Sequence, residues 1–198
     1  ITSHTQYPKF IWKPKIVDVG CGAGVGSNIL SQEADFVWGI DKNLKSVRFA
    51  QEAFTRVKNG IYYNPQLTFD HIDILEDTRQ FMQFDMVVAI EIIEHIKEDK
   101  KFLETIIRRF TKRGKHEKPL EGEDGTEFFI STPNRNNDKI RKDHPENLFH
   151  VREYTSEEFH ELLSQYFGQV EFFSAKGEPT GITTNHTPLL AKCSQPKL

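Results

Sequence analysis

The stretch Lys15 to Gly26, KIVDVGCGAGVG, restricts the fold more than any other part of the chain. Its first half carries a short β-branched run, Ile16, Val17 and Val19, of the kind that forms a buried strand. Its second half places glycines at 20, 22, 24 and 26, where no side chain bars a ligand from the backbone. A helix expected from about Ser27 to Ala34 would aim its unpaired amides at whatever rests on the turn. Strand, glycine turn and helix in this order describe a cradle for a small molecule.

Spacing narrows the ligand. A dinucleotide fingerprint of G-x-G-x-x-G/A starting at Gly20 wants a small residue where Val25 stands, and one starting at Gly22 wants it at Ser27. Neither fits well, and no Tyr-Lys or hydride-relay pair is evident, so an NAD-dependent oxidoreductase is disfavoured. The run VDVGCGAG, with Asp18 at the strand end, instead resembles motif I of the class I S-adenosylmethionine-dependent methyltransferases. The resemblance implies that Asp18, Gly20, Gly22 and Gly24 belong to a site for S-adenosyl-L-methionine, the loop wrapping its methionine part. A second strand from Phe36 to Ile40 leads to Asp41, whose carboxylate can accept both ribose hydroxyls of an adenosine. The resemblance gives Asp41 that role; the alternative is a helix cap, which Asn43 would fill as well. A third strand, Leu67 to Ile74, closes on Asp73 and Ile74, to which the resemblance assigns the adenine amino group and ring face. The competing reading of Asp73 is a turn former.

The rest of the chain fits this frame. Leu44, Val47, Ala50, Ala53, Phe54 and Val57 recur at helical spacing, predicting a helix from about Asn43 to Lys58 that stops at Asn59-Gly60. Phe84 to Ile90 is an apolar run expected as a central strand buried on both faces. Phe102, Leu103, Ile106, Ile107 and Phe110 mark a further helix, Glu127 to Ser131 a fifth strand, and Thr155-Ser-Glu-Glu a capped helix start. Val170 to Ser174 and Leu189 to Cys193 bring the expected strands to seven. The expected fold is α/β: a seven-stranded, Rossmann-like, doubly wound sheet, mostly parallel with an antiparallel edge. One domain is expected over residues 1–198, with residues 1–14 as an edge segment and 134–153 as an active-site loop. Residues 112–126 pass from basic to acidic and read as a solvated insertion.

A net charge of −3 neither recruits nor excludes nucleic acid. Two cysteines, Cys21 and Cys193, make no disulfide framework, and neither a membrane span nor a signal peptide is evident, so a cytoplasmic protein is expected. The chain opens at Ile1 rather than Met, which leaves room for an upstream portion.

In open α/β sheets ligands sit beyond the carboxyl ends of the strands, so the turns after Val19, Ile40, Ile74, Ile90 and Ser131 should border one crevice. Glu91, Glu94 and His95 form E-x-x-E-H after the fourth strand, and placing them at a helix start would put them on one face. His150 follows in the long loop. Two carboxylates and two imidazoles suit a divalent ion such as Mg2+ or Mn2+. The set Glu91, Glu94, His95 and His150 resembles the metal site of the small-RNA 3′-terminal 2′-O-methyltransferases. E-x-x-E-H also resembles the ubiquinone-biosynthesis O-methyltransferases. Without metal, the acids are first-turn residues favoured by the helix dipole and a histidine acts as general base; His144 is a weaker substitute ligand. Glu91 stands between the two sides and is assigned to both cofactor and acceptor, whereas His95 and His150 are expected on the acceptor side alone.

Arg135, Lys139, Arg141, Lys142 and Arg152, with Phe149 and Tyr154, could hold phosphates and stack a base, or form a solvated lid whose arginines pair with acids such as Glu146 and Glu153. The expected activity is methyl transfer to an oxygen, less readily a nitrogen, of a small-molecule acceptor, with RNA as the alternative and no membrane partner. A reading from another class is a cofactor-binding subunit without turnover.

Overall fold

The computed structural model describes residues 13–55, 57–58, 61–62, 64–79, 82–114, 119–120, 125–136, 147–182 and 187–198. The glycine stretch forms β1 (Lys15–Val19) and α1 (Val25–Leu30), followed by β2 (Phe36–Asp41) and α2 (Leu44–Ala50). Two-residue strands β3 (Val57–Lys58) and β4 (Ile61–Tyr62) pair with each other, and β5 (Leu67–His71), β6 (Met86–Ala89), α3 (Asp99–Phe110) and β7 (Glu127–Thr132) follow. The chain ends with α4 (Ser156–Tyr166), β8 (Phe167–Phe173), β9 (Pro179–Thr180) and β10 (Leu189–Pro196).

Among the described residues the main sheet has eight strands in the order β5-β2-β1-β6-β7-β10-β8-β9. The first five run parallel, while β10 is antiparallel to β7 and β8, and β9 antiparallel to β8. The expected seven thus become eight, plus a separate hairpin. A two-residue strand such as β9 has no room for a periodic pattern, so its residues carry no signal of their own.

Alternation along the strands divides the core in two. Val17, Val19, Val87, Ala89, Phe128 and Ile130 face one side, covered by Phe102, Leu103, Ile106, Ile107 and Phe110 of α3 and by Phe159, Leu162 and Leu163 of α4. Ile16, Val37, Leu67, Phe69 and Val88 face the other, against Val47 and Ala50 of α2. The i, i+3, i+4 stripe of α3 is buried throughout, which is why that helix was readable from spacing. The capping box at Thr155 is present: its hydroxyl accepts from Glu158 N at 3.2 Å while Glu158 Oε2 accepts from Thr155 N at 3.0 Å.

Several boundaries differ from expectation. Helix α1 begins at Val25 and ends at Leu30, shorter than the expected 27–34. The helix expected to reach Lys58 keeps regular geometry only to Ala50 and widens into a π turn over Gln51–Thr55, where Gln51 Nε2 donates to the carbonyl of Phe69 at 2.7 Å. Strand β5 stops at His71, so Asp73 and Ile74 lie on a turn in which Leu75 N donates to Asp73 Oδ1. The fourth strand is Met86–Ala89 rather than 84–90. Residues 1–12, Asn59-Gly60, and the loop residues Lys139, Arg141, Lys142, His144 and Glu146 lie outside the described residues. No helix among the described residues is long and apolar enough to cross a membrane.

Candidate active site

The carboxyl ends of β1, β2, β5 and β6 meet at one crevice, and the glycine turn is tied to β2 beneath it. Gly20 N and Cys21 N both donate to the carbonyl of Ile40, at 2.8 and 3.1 Å. Asp41 takes Gly22 N on Oδ2 at 2.9 Å and Asn43 N on Oδ1 at 2.7 Å. Each of its oxygens therefore has one lone pair committed to backbone and one remaining. The cap of α2 is Asn43, which accepts from Lys45 N and Ser46 N, so Asp41 is not needed there.

Two glycines of the turn serve different ends. A side chain at Gly22 would meet no protein atom within 4 Å, leaving that backbone open to a ligand. A Cβ at Gly24 would stand 2.6 Å from the Phe69 ring and 2.7 Å from Ala50 Cβ, so this glycine is needed for packing against the second core. Asp18 lies behind the turn, 6% exposed, with Ser27 Oγ donating to its Oδ2 at 2.6 Å. Burial pushes its carboxyl up to about 6, against the pull of the Ser27 hydroxyl, with the Asp41 charge adding to the rise.

A cavity of about 270 Å³ opens above the turn, and its walls include Gly20, Asp41, Asp73, Ile74 and His95. Asp18, Gly22, Gly24 and Glu91 are not among its lining residues. His95, expected on the acceptor side only, is shared between this cavity and the acid/histidine group beside it.

That group is assembled differently from the expected helix face. Glu91 has a left-handed backbone with φ 52°, Ile93–His95 form a single 3-10 turn, and α3 starts only at Asp99. The bent backbone at Glu91 lets its N–H donate to Ser131 Oγ at 3.1 Å, while the same hydroxyl donates to Glu91 Oε1 at 2.7 Å. Partial burial raises the Glu91 carboxyl above its ordinary value, opposed by the Ser131 hydrogen bond. Glu94, His95 and His150 bring one ligand atom each to within 4.8 Å of one another. Glu91 is not in that set, so the expected four ligands reduce to three; its carboxylate is turned to Ser131 instead.

Glu94 is 1% exposed, and neither of its carboxylate oxygens has a hydrogen bond among the described residues. Among the described residues, His95 Nε2 stands 3.9 Å from its Oε1. Burial above all, with the charge of Glu91 adding, pushes its carboxyl up to about 7, opposed by its own backbone, the His150 ring and the neighbouring Thr132 hydroxyl, which makes no hydrogen bond of good geometry to it. An orphaned carboxylate costs free energy in such a place unless a cation or proton joins it. A hard oxygen and two imidazoles are a donor set that a divalent ion accepts. The residues present therefore fit a cation.

The loop carrying His150 is pinned across this group. Val151 N and Arg152 N both donate to the carbonyl of Glu94, at 2.8 and 3.2 Å. Arg152 Nη1 and the Tyr154 hydroxyl converge on Asp99 Oδ2 at 2.6 and 2.8 Å, and Arg135 pairs with Glu158 at 2.6 Å. Among the described acids the partners are thus Glu158 and Asp99 rather than Glu153, while Glu146 lies outside the described residues. Tyr154 is 3% exposed and unable to stack a base, whereas Leu148 and Phe149 are exposed. Sequence reasoning gave no site role to Ser27, Ser131, Asp99 or Glu153. Ser131 had a signal, as the last residue of an expected strand in the crevice, and Glu153 stands only three residues from His150, whereas Ser27 and Asp99 depend on how separate elements pack together.

Residues 13–116 match the family model described as a methyltransferase domain. A probable S-adenosylmethionine-dependent methyltransferase of Mycolicibacterium smegmatis is 26% identical over 156 residues, 79% of this chain and 52% of the relative. The ubiquinone biosynthesis O-methyltransferase of Erwinia tasmaniensis is 28% identical over 131 residues, 66% of this chain and 47% of the relative. The chain thus spans about half the length of these curated relatives. Among solved structures, the methyltransferase domain of bacterial CtHen1-C superposes with a TM-score of 0.61 at 19% identity, covering 91% of this chain and 89% of that one, a likeness of fold.

Proposed function

Since the chain belongs to the methyltransferase-domain family, of the class I S-adenosylmethionine-dependent kind, we propose that it transfers the cofactor's methyl group to an oxygen of a small acceptor. The acceptor is presented on the side of Glu94, His95 and His150, with the cofactor across Gly20, Asp41, Asp73 and Ile74. The observation that carries this reading is the buried, unpartnered Glu94 carboxylate beside two imidazoles, one of which lines the cavity.

Methyl transfer is an in-line displacement: the acceptor oxygen bonds to the methyl carbon, the carbon–sulfur bond breaks, and the sulfonium leaves as a neutral thioether that needs no acid. The chain must align the acceptor and take its proton. Glu94, His95 and His150 would hold Mg2+ or Mn2+, which supplies a lowered pKa at the acceptor hydroxyl. A second reading rests on His95 alone. Its Nδ1 faces the Phe149 carbonyl at 3.0 Å and must donate, which leaves Nε2 free to accept the proton directly. A small acceptor is favoured over RNA because Arg135 and Arg152 are engaged with Glu158 and Asp99, while Leu148 and Phe149 give this side an apolar rim. The weak resemblance to O-methyltransferases named for ubiquinone biosynthesis points to oxygen as well.

The test is release of S-adenosylhomocysteine with a panel of phenolic, catecholic, 3′-terminal ribose and primary-amine acceptors, before and after chelation. Release with a hydroxyl acceptor, abolished by chelator and restored by Mn2+, is the expected result. Release that survives chelation transfers the role to His95, and release with amines alone overturns oxygen transfer.

A further inference from the structure

The two imidazoles of the site are each held at one ring nitrogen by the same loop. His95 Nδ1 lies 3.0 Å from the Phe149 carbonyl, an acceptor only, so that nitrogen carries the proton. His150 Nδ1 lies 2.8 Å from Glu153 Oε1, again an acceptor when ionised. Both side chains of this second pair are nearly enclosed, at 10% and 4% exposure, so water does not compete for the contact. Glu153 is fixed from both sides. Its carbonyl accepts from Arg135 Nη1 at 3.2 Å, and the next residue, Tyr154, anchors to Asp99 through its hydroxyl and accepts Arg135 N on its carbonyl at 2.8 Å.

We propose that Glu153 is a positioning residue: it holds His150 as the Nδ1–H tautomer and so leaves Nε2 as the unprotonated nitrogen of that ring. Phe149 does the same for His95 through its backbone. A neutral imidazole in water places its proton on either nitrogen, and an enclosed carboxylate at one of them removes that freedom. The segment from Phe149 to Glu153 thereby engages Nδ1 of both rings from one loop. The inference rests on the reading of Glu94, His95 and His150 as the acceptor-side group, but its own claim concerns the tautomer and is measured separately.

The experiment is a long-range nitrogen–proton correlation spectrum of the histidine side chains at pH 8, recorded without metal or cofactor on wild type, Glu153→Ala and Glu153→Gln. Wild type should show the His150 proton on Nδ1. Glu153→Ala should move it to Nε2 or to an average of the two, whereas the Gln carbonyl, still an acceptor, should retain the wild-type pattern. Affinity for S-adenosylhomocysteine should stay within about twofold in both variants, while Mn2+ binding to Glu153→Ala weakens about 10- to 100-fold. A wild-type spectrum with the proton on Nε2, or a Glu153→Ala spectrum identical to wild type, overturns the proposal. Absence of Mn2+ binding in wild type would instead count against the metal reading, leaving the tautomer result to decide this one.

Discussion

Asp18 stands at the end of β1 with 6% exposure and, among the described residues, is held by the Ser27 hydroxyl with no ion pair. Its folded value of about 6 exceeds the ordinary 3.8, so ionisation opposes the fold. The stability it contributes is full below about pH 4 and is lost as pH rises through about 6, a swing of roughly 3 kcal/mol. Asp18→Asn keeps an oxygen for Ser27 and removes the charge. Thermal unfolding should therefore show the variant more stable than wild type at pH 8, by about 6–12 °C, with the gap closing toward pH 4. Parallel curves across that range would contradict the account. An acid at a strand end is visible in the sequence, yet its partner Ser27 and its place behind the turn are not. Both depend on how α1 folds back over β1.

At the level of elements, the loop from Phe149 to Tyr154 matters most, because it docks on α3 and on the 3-10 turn at Ile93–His95 at once. Its anchor is Asp99, 6% exposed, in the first turn of α3, where a negative charge is favoured by the helix dipole. Tyr154→Phe removes one hydrogen bond to that carboxylate and leaves the ring in place, and should cost roughly 1.5–3 kcal/mol in urea unfolding. Because neither Tyr154 nor Asp99 lines the cavity, affinity for S-adenosylhomocysteine should be unchanged. A variant as stable as wild type would remove the tether from the account. Helix α3 was legible from its apolar stripe, and β6 from its uninterrupted run. The π turn after α2 and the left-handed Glu91 were not, since each is set by a contact with another strand, at Phe69 and Ser131, rather than by local preference.

On the scale of the molecule, four of the five parallel strands deliver a glycine turn, two acids and a histidine to a single cavity, with a buried carboxylate and a second histidine alongside. The order of strands and helices could be read from periodicity, as could the residues at the strand ends. Which of those residues reach the cavity could not: Gly24 turns to the core, Asp18 lies beneath, and Glu91 faces Ser131. The proposed function has this cavity bind the cofactor through Asp41 while Glu94 acts on the acceptor side. It is tested most directly by calorimetric titration of S-adenosylhomocysteine into wild type, Asp41→Ala and Glu94→Gln. Loss of charge-assisted hydrogen bonds of about 1.5–3 kcal/mol each should weaken binding to Asp41→Ala tenfold or more, with Glu94→Gln matching wild type. Wild-type affinity in Asp41→Ala, or no binding to wild type, would contradict it.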